Sequence, residues 1–371
     1  MPACARLVQA HAGAVRVWLS VMTDVLTPVS VAAGSRAPDG AEVPAAPARR
    51  RRGRLLVPYL VTVWFLVTLN FLLPRAMPGD PISALEDSSA PTYVRDDTAR
   101  AELARYYGLD RPLASQYVHY LGGLARGDLG ESIRYNAPVA GLVAERLPWT
   151  LLLISTALVL AAAGGLLAGV QAAWRRGRAA DRWLLGVFLG LRNFPVFFLG
   201  SLALFVFAVK LRWLPLAGAS TPFSTLGPIA SVGDVGRHLA LPASVLAVQF
   251  AAGYFLLMRA AMVSELGADY LLAGRIKGLR VRRLKYAYAA RNALLPVVTL
   301  MALQIGFAIT GSIFVETVFA YPGMGRLVFE AVAYRDYPVL QACFLILTLV
   351  VVTINLGADL LYARLDPRTQ R

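Results

Sequence analysis

Runs of apolar residues separated by short polar intervals dominate this chain, and their lengths predict helices before any single residue is weighed. Six runs stand out: residues 55–73, 149–173, 184–209, 239–258, 294–319 and 339–362. At roughly 1.5 Å of rise per residue, runs of this length match a hydrocarbon core of about 30 Å. The pattern therefore predicts an all-α fold, a polytopic membrane helical bundle of six transmembrane helices. Residues 74–146 are too polar to join it. Inside that stretch Asp97 or Thr98 can cap a helix that stops at Gly108. Pro112 can open another, in which Tyr117, Val118, Leu121, Leu124 and Ala125 share a face. Such a face either packs on neighbouring helix ends or forms a small platform for a soluble partner. In the second run, Gly164, Gly165, Ala168 and Gly169 read as close helix packing.

Composition agrees with the pattern. Of 371 residues, 57% are hydrophobic and only 16% charged, more apolar surface than a soluble chain of this length can bury. The formal charge of +15 raises nucleic acid as a partner, but no aromatic platform interleaves the basic residues. Their placement is that of orientation charge, since Lys and Arg near span ends stay on the inner side. On that rule the basic tail 1–53, the 174–182 loop, the 265–296 loop and the tail 364–371 are cytoplasmic. Residues 74–146, where acids outnumber bases, and 210–238 are then extracytoplasmic. The apolar patch at 14–33 is broken by Arg16 and Asp24, so it predicts no signal peptide, and residues 1–53 read as disordered. The tail's Arg run serves either as topology charge or as an anionic-lipid contact. Arg192, Asn193 and Pro195 fall at the inner end of the third run, where an arginine can snorkel to the interface. Cys4 and Cys343 offer no disulfide framework, and His11, His119 and His238 have no metal-ligand spacing.

The 265–296 loop concentrates the charge. Arg259 precedes it, and Arg275, Lys277, Arg280, Arg282, Arg283, Lys285 and Arg291 lie within it against only Glu265 and Asp269. Gly267 interrupts the preceding helix, Asp269–Lys277 can form about two helical turns, and Gly278 supplies a left-handed stop. A solvated connector and a docking element are both compatible with this.

A resemblance bears on the choice. Ala273, Gly274, Arg275, Lys277, Gly278 and Leu279, followed by Arg291 to Pro296, look like the cytoplasmic loop of binding-protein-dependent ABC importer permeases. Leu272 stands where the general form of that motif opens with Glu. The MPGDP turn at 77–81, ETVFAYPGMGRL at 316–327 and RDYPVLQA at 335–342 resemble the first permease subunit of the dipeptide, oligopeptide and nickel importers. The resemblance implies an ABC type-1 importer permease fold over 147–363, with a long extracytoplasmic loop after the first helix and both termini cytoplasmic in the inner (plasma) membrane. It implies a second homologous permease subunit, two cytoplasmic ATPase subunits and an extracytoplasmic substrate-binding protein as partners. Asp269, Tyr270, Ala273, Gly274, Arg275, Lys277 and Gly278 would couple to the ATPase, and Tyr321, Pro322, Gly323 and Gly325 would form the external turn.

The chain contains no GxxxxGK[ST] phosphate loop, Ser/His/Asp triad pattern or HExxH pattern. It reads as a non-catalytic subunit that binds no cofactor, with ATP and Mg held by the partner ATPases. For the translocation path the candidates are Gln249, Gln304, Thr310, Ser312 and Glu316, because polar groups facing lipid are costly. Hydrogen bonding between helices is the other account of the Gln, Thr and Ser residues, and a place at the outer interface is the other account of Glu316. Di- or oligopeptides are the expected cargo, with nickel or another small solute as the alternative. An ATP-independent carrier would instead show paired intramembrane carboxylates or a repeat.

Overall fold

The computed structural model describes residues 49–76, 98, 101–102, 105, 108, 110–222 and 227–365. The tail over 1–48, the 77–81 turn, most of the helix expected before Gly108, and residues 366–371 lie outside them. The chain divides into two compact units, Met1–Leu56 and Val57–Arg371, and the contacts below belong to the second.

The helices, in order, are α1 (Arg49–Ala76), α2 (Leu113–Ala125), α3 (Val139–Trp174), α4 (Ala179–Arg192) and α5 (Val196–Ala203), which runs on as a π-helix over Leu204–Lys210. Next come α6 (Pro228–Glu265), α7 (Asp269–Ile276) and α8 (Val281–Arg283), then a π-helical segment (Leu284–Ala289), α9 (Ala290–Val318), α10 (Met324–Ala333) and α11 (Tyr337–Leu365). Among the described residues there is no strand, only an isolated bridge between Glu131 and Pro138. Val139–Trp174, Ile229–Glu265 and Tyr337–Leu356 are each long and apolar enough to cross a membrane, and the pair Ala179–Arg192 with Val196–Lys210 adds a fourth if counted as one span. At 28 and 29 residues, α1 and α9 also have the length.

Several boundaries differ from the apolar pattern. The expected third span is two helices bent by 101° at Asn193–Pro195. Pro195 disfavours helical geometry at Phe194 and offers no N–H, so the chain turns there and leaves Arg192 exposed. Helices α3 and α6 begin well before their apolar runs, taking Pro148 and Pro242 into their interiors. Pro296 lies inside a helical segment that begins at Val281. The stretch after Gly323, expected as part of a tight turn, forms α10. On α2 the half-buried side is Gln116, Tyr117, Tyr120, Leu121 and Leu124, while Val118 is exposed. Tyr117 meets Phe71 of α1 edge-on at 5.1 Å, and the Tyr117 and Thr68 hydroxyls share a hydrogen bond.

The bundle centres on the pairing of α3 with α6. A Cβ at Gly165 would lie 2.5 Å from the Ala251 carbonyl oxygen, and one at Gly169 would lie 2.8 Å from that of Phe255. The two backbones therefore touch along a single glycine edge, while Gly164 faces open space. Around this seam α9, α10 and α11 bury Val315, Phe319, Met324, Leu327, Leu340 and Cys343 in one core. A second core gathers Val170, Met258, Met262, Leu271, Leu284 and Ala293 at the α7 end.

Gly165→Val is expected to destabilise the detergent-purified protein by about 2 kcal/mol or more through overpacking against backbone. Gly164→Ala should stay within about 0.5 kcal/mol. Thermal unfolding of the two variants side by side checks the contrast.

Candidate functional site

Two constellations sit at opposite ends of α9. At its N-terminal end, α7 closes on a Schellman arrangement: the Leu279 N–H donates to the Gly274 carbonyl at 3.1 Å and the Gly278 N–H to that of Arg275 at 2.9 Å. Gly278 has φ +72, the left-handed conformation that turns the chain toward α8. Leu271 and Gly274 face inward. Gly274 lies against Leu284, whose Cδ2 is 2.6 Å from where a Cβ would sit. Asp269, Leu272, Ala273, Arg275, Ile276 and Lys277 are exposed, and Tyr270 is half-buried, donating its hydroxyl proton to Glu265. With Ile276 at 79% and Leu272 at 58% exposure, α7 presents an apolar ridge flanked by cations. From Arg283 through Leu284 and on to Ala290 the backbone stays right-handed helical, so α8, the π segment and α9 form one rod seated against α7.

At the other end, Glu316 is fully buried. Its Oε1 accepts from the Thr150 hydroxyl of α3 at 2.8 Å, and its Oε2 accepts from the Arg326 N–H in the first turn of α10 at 3.0 Å. Thr150 Oγ1 in turn accepts the Met324 N–H at 2.7 Å. The open N–H groups of a helix start favour an acidic partner, and here it comes from the preceding helix. Tyr321, Pro322 and Gly323 carry the chain across. Tyr321 is buried with its ring edge-on to Trp149 at 6.0 Å, and the Gly323 N–H donates to the Tyr321 carbonyl at 2.8 Å. A Cβ on Gly323 would fall 2.3 Å from the Glu316 carboxyl, and one on Gly325 would fall 2.6 Å from the Ile313 backbone. Both glycines leave room for that carboxyl to reach the helix start.

Residues 165–371 match the family described as Binding-protein-dependent transport system inner membrane component. The chain belongs to that family. A putative peptide permease protein of Brucella ovis is 42% identical over 306 residues, 82% of this chain and 93% of its own. The di/tripeptide transport system permease protein DppB of Pseudomonas aeruginosa is 36% identical over 332 residues, 86% of this chain and 97% of its own. The glutathione transport system permease protein GsiC of Escherichia coli K12 is 38% identical over 313 residues, 84% of this chain and 96% of its own.

In this permease the polar residues picked for a path separate into two groups. Ser312 and Glu316 are enclosed, Ser312 donating to the Ile309 carbonyl within its own helix at 2.8 Å. The Glu316 oxygens are taken up by Thr150 and the start of α10, and the Ser312 hydroxyl by its own helix. Thr310 is exposed, and Gln249 Nε2 donates to the Phe194 carbonyl at the α4–α5 bend at 2.9 Å. Gln304 Nε2 lies 2.9 Å from where a Cβ of Gly253 would sit, and its buried Oε1 has no protein partner. Two polar links were not foreseen. Arg259, counted only as loop charge, is held bidentately by buried Asp181, with Nε to Oδ1 at 2.7 Å and Nη2 to Oδ2 at 2.8 Å. Asp181 lies among Arg175, Arg176, Arg178 and Arg182, and a lone acid in a basic run was the available signal. Asp336 is the second, accepting from the Ser132 hydroxyl at 2.5 Å and the Arg134 N–H at 3.1 Å, which docks the 131–138 turn onto α11.

The same turn meets α10 through Tyr135, whose hydroxyl donates to Glu330, itself paired with Arg326 at 2.9 Å. Burial and the Glu330 partner push the Tyr135 phenol up to about 12. Burial alone would raise Glu330, but its bonds to Tyr135 and Arg326 outweigh it and hold the carboxyl below its ordinary value. The raised phenol contributes stability below its ordinary value of 10 and loses it as pH rises through about 12. The depressed carboxyl contributes above its ordinary 4.5 and loses it as pH falls through its lower folded value.

Tyr135→Phe should therefore cost about 1 kcal/mol between roughly pH 5 and 10, the low side for a hydrogen bond to a charged group because the pair is partly solvated. The gap to wild type should narrow as pH falls below 4.5, as read from unfolding midpoints across pH. Gly323→Ala and Glu316→Ala should each destabilise, and the double variant should fall short of their sum by about 0.5 kcal/mol or more, since both disturb one contact. Strict additivity in denaturation would rule that contact out.

Proposed function

We propose that this permease forms half of the translocation pathway of an ATP-driven importer for di- and oligopeptides and takes its work stroke through α7. The observation that carries the reading is the exposed face of α7, where Leu272 and Ile276 stand clear of the bundle between Arg275 and Lys277 while Leu271 and Gly274 anchor the helix to the α8–α9 rod. An apolar ridge with basic flanks suits a groove on a soluble partner, and α7 is seated so that a push on it passes into α9. Two cytoplasmic ATPases would supply the push, with ATP and Mg bound on them. A second permease would complete the pathway, and an extracytoplasmic binding protein would deliver cargo at the Glu316 end. The basic 265–296 loop and the terminal charges orient α7 and both termini toward the cytoplasm of a cell whose inner membrane holds the bundle.

Peptide cargo is supported by the relatives, named for peptide, di/tripeptide and glutathione transport, all amide-bearing substrates. Gln304, with an unpartnered buried amide oxygen, together with Gln249 and Thr310, gives the polar groups such a backbone can use. Alternate packings of the spans, each open to one side, would complete a cycle.

Ile276→Asp should leave membrane insertion and thermal stability unchanged, because the side chain touches solvent. It should abolish co-purification of the ATPase and substrate-stimulated ATP hydrolysis in the reconstituted assembly. Wild-type coupling in that variant would overturn the docking role of α7, and a competent assembly that moves no peptide would overturn the cargo.

A further inference from the structure

Beside the α7 end of the bundle lies a cleft of about 790 Å³ between the C-terminal turns of α3 and the α8–π segment, lined by Leu167, Gln171, Trp174, Arg175, Lys285 and Tyr286, with Val281 and Arg282 at its edge. A smaller hollow shares Gln171 and Arg175 with it and reaches Trp183. No carboxylate lines either one. The nearest acid in sequence, Asp181, is already committed to Arg259. Lys285 is only 6% exposed, and its ammonium has one neutral acceptor, Gln171 Oε1 at 2.6 Å, with the Tyr286 ring centroid 4.8 Å away. The Gln171 amide is oriented by donating to the Tyr286 hydroxyl at 3.0 Å. Arg175 and Arg282 are exposed and have no ion-pair partner among the described residues. A desolvated ammonium facing neutral groups, with two free guanidiniums at the rim, is an arrangement short of an anion.

We propose that this cleft binds the phosphate group of an anionic phospholipid from the leaflet on the α7 side. Phosphate oxygens would take the remaining ammonium donors of Lys285 and the forks of Arg175 and Arg282. A free phosphate offers the same chemistry, and the surroundings favour the lipid. Leu167 opens one wall at 57% exposure, and Leu160, one heptad back along α3, continues an exposed apolar track for an acyl chain. Trp174 and Tyr286 line the cleft and Trp183 the neighbouring hollow, aromatic side chains of the kind found at a membrane interface. Lys285 belongs to the π segment against which α7 is seated, so an occupied cleft would brace that joint. The inference does not depend on the cargo or on the ATPase.

The test uses the full assembly in nanodiscs of phosphatidylcholine with and without phosphatidylglycerol. A photo-crosslinking residue replaces Leu167, and retained lipid is counted by native mass spectrometry. Wild type should retain phosphatidylglycerol over phosphatidylcholine. Arg175→Ala and Arg282→Ala, both surface changes that leave the fold intact, should each weaken that preference about fivefold. Position 167 should capture lipid. No preference for phosphatidylglycerol in wild type, or equal retention in the double variant, overturns the proposal. So does capture of a protein subunit at position 167, which would assign the cleft to a permease interface. Binding of inorganic phosphate in pure phosphatidylcholine discs without any lipid preference would assign it to a soluble anion, and would also overturn the proposal.

Discussion

Helices in hydrocarbon gain little by burying apolar side chains against one another, because lipid is as apolar as leucine. What holds them is closeness of approach. In this permease that closeness is set at Gly165 and Gly169, where α3 lies directly against the carbonyls of α6. Several of the polar links and the second core lie along this seam. The Arg259–Asp181 fork ties α4 to α6 beside it, Thr150 projects from α3 toward Glu316, and the second core forms where the same two helices reach α7. A methyl group at either glycine would move two backbones apart, and the polar links, whose geometry tolerates only tenths of an ångström, would go with them.

The polar links themselves share a design. Each places a carboxyl where backbone N–H groups or a guanidinium would otherwise be stranded: Glu316 at the start of α10, Asp336 beside the 131–138 turn and at the start of α11, and Asp181 under Arg259. These three acids fasten two helix starts and one guanidinium.

How far the chain was legible follows from the same physics. The apolar runs gave the helices, because hydrocarbon imposes its thickness on the sequence. They did not give the true starts of α3 and α6, because a helix that continues past the membrane carries ordinary polar residues that no apolar count registers. Asn193 to Pro195 does not by itself predict the 101° bend, since the apolar run at 184–209 continues on both sides of it. Gly278 was legible because only a left-handed residue could end α7 where it does. The partners of Glu316 were not legible, because backbone donors of α10 leave no trace in a sequence once the helix that owns them is taken for a turn. The exposed ridge of α7 was half legible: its cations were counted, while Leu272 and Ile276, four residues apart within a charged loop, were the unused signal.

The π-helical segment has a further geometric effect. Along the α8–α9 rod the residues buried in the second core are Leu284, Ala289, Ala290, Ala293 and Val297, a spacing of five followed by steps of one, three and four. A π turn takes up one residue more than an α turn, so the azimuth of everything before Leu284 is offset by about 100° from where α9 alone would place it. The basic run Arg280 to Arg283 faces where it does only because of that extra residue. Excising a single amino acid from Leu284–Ala289 would let the rod wind as plain α-helix, leaving α9 in place while Val281 and its neighbours revolved about the axis.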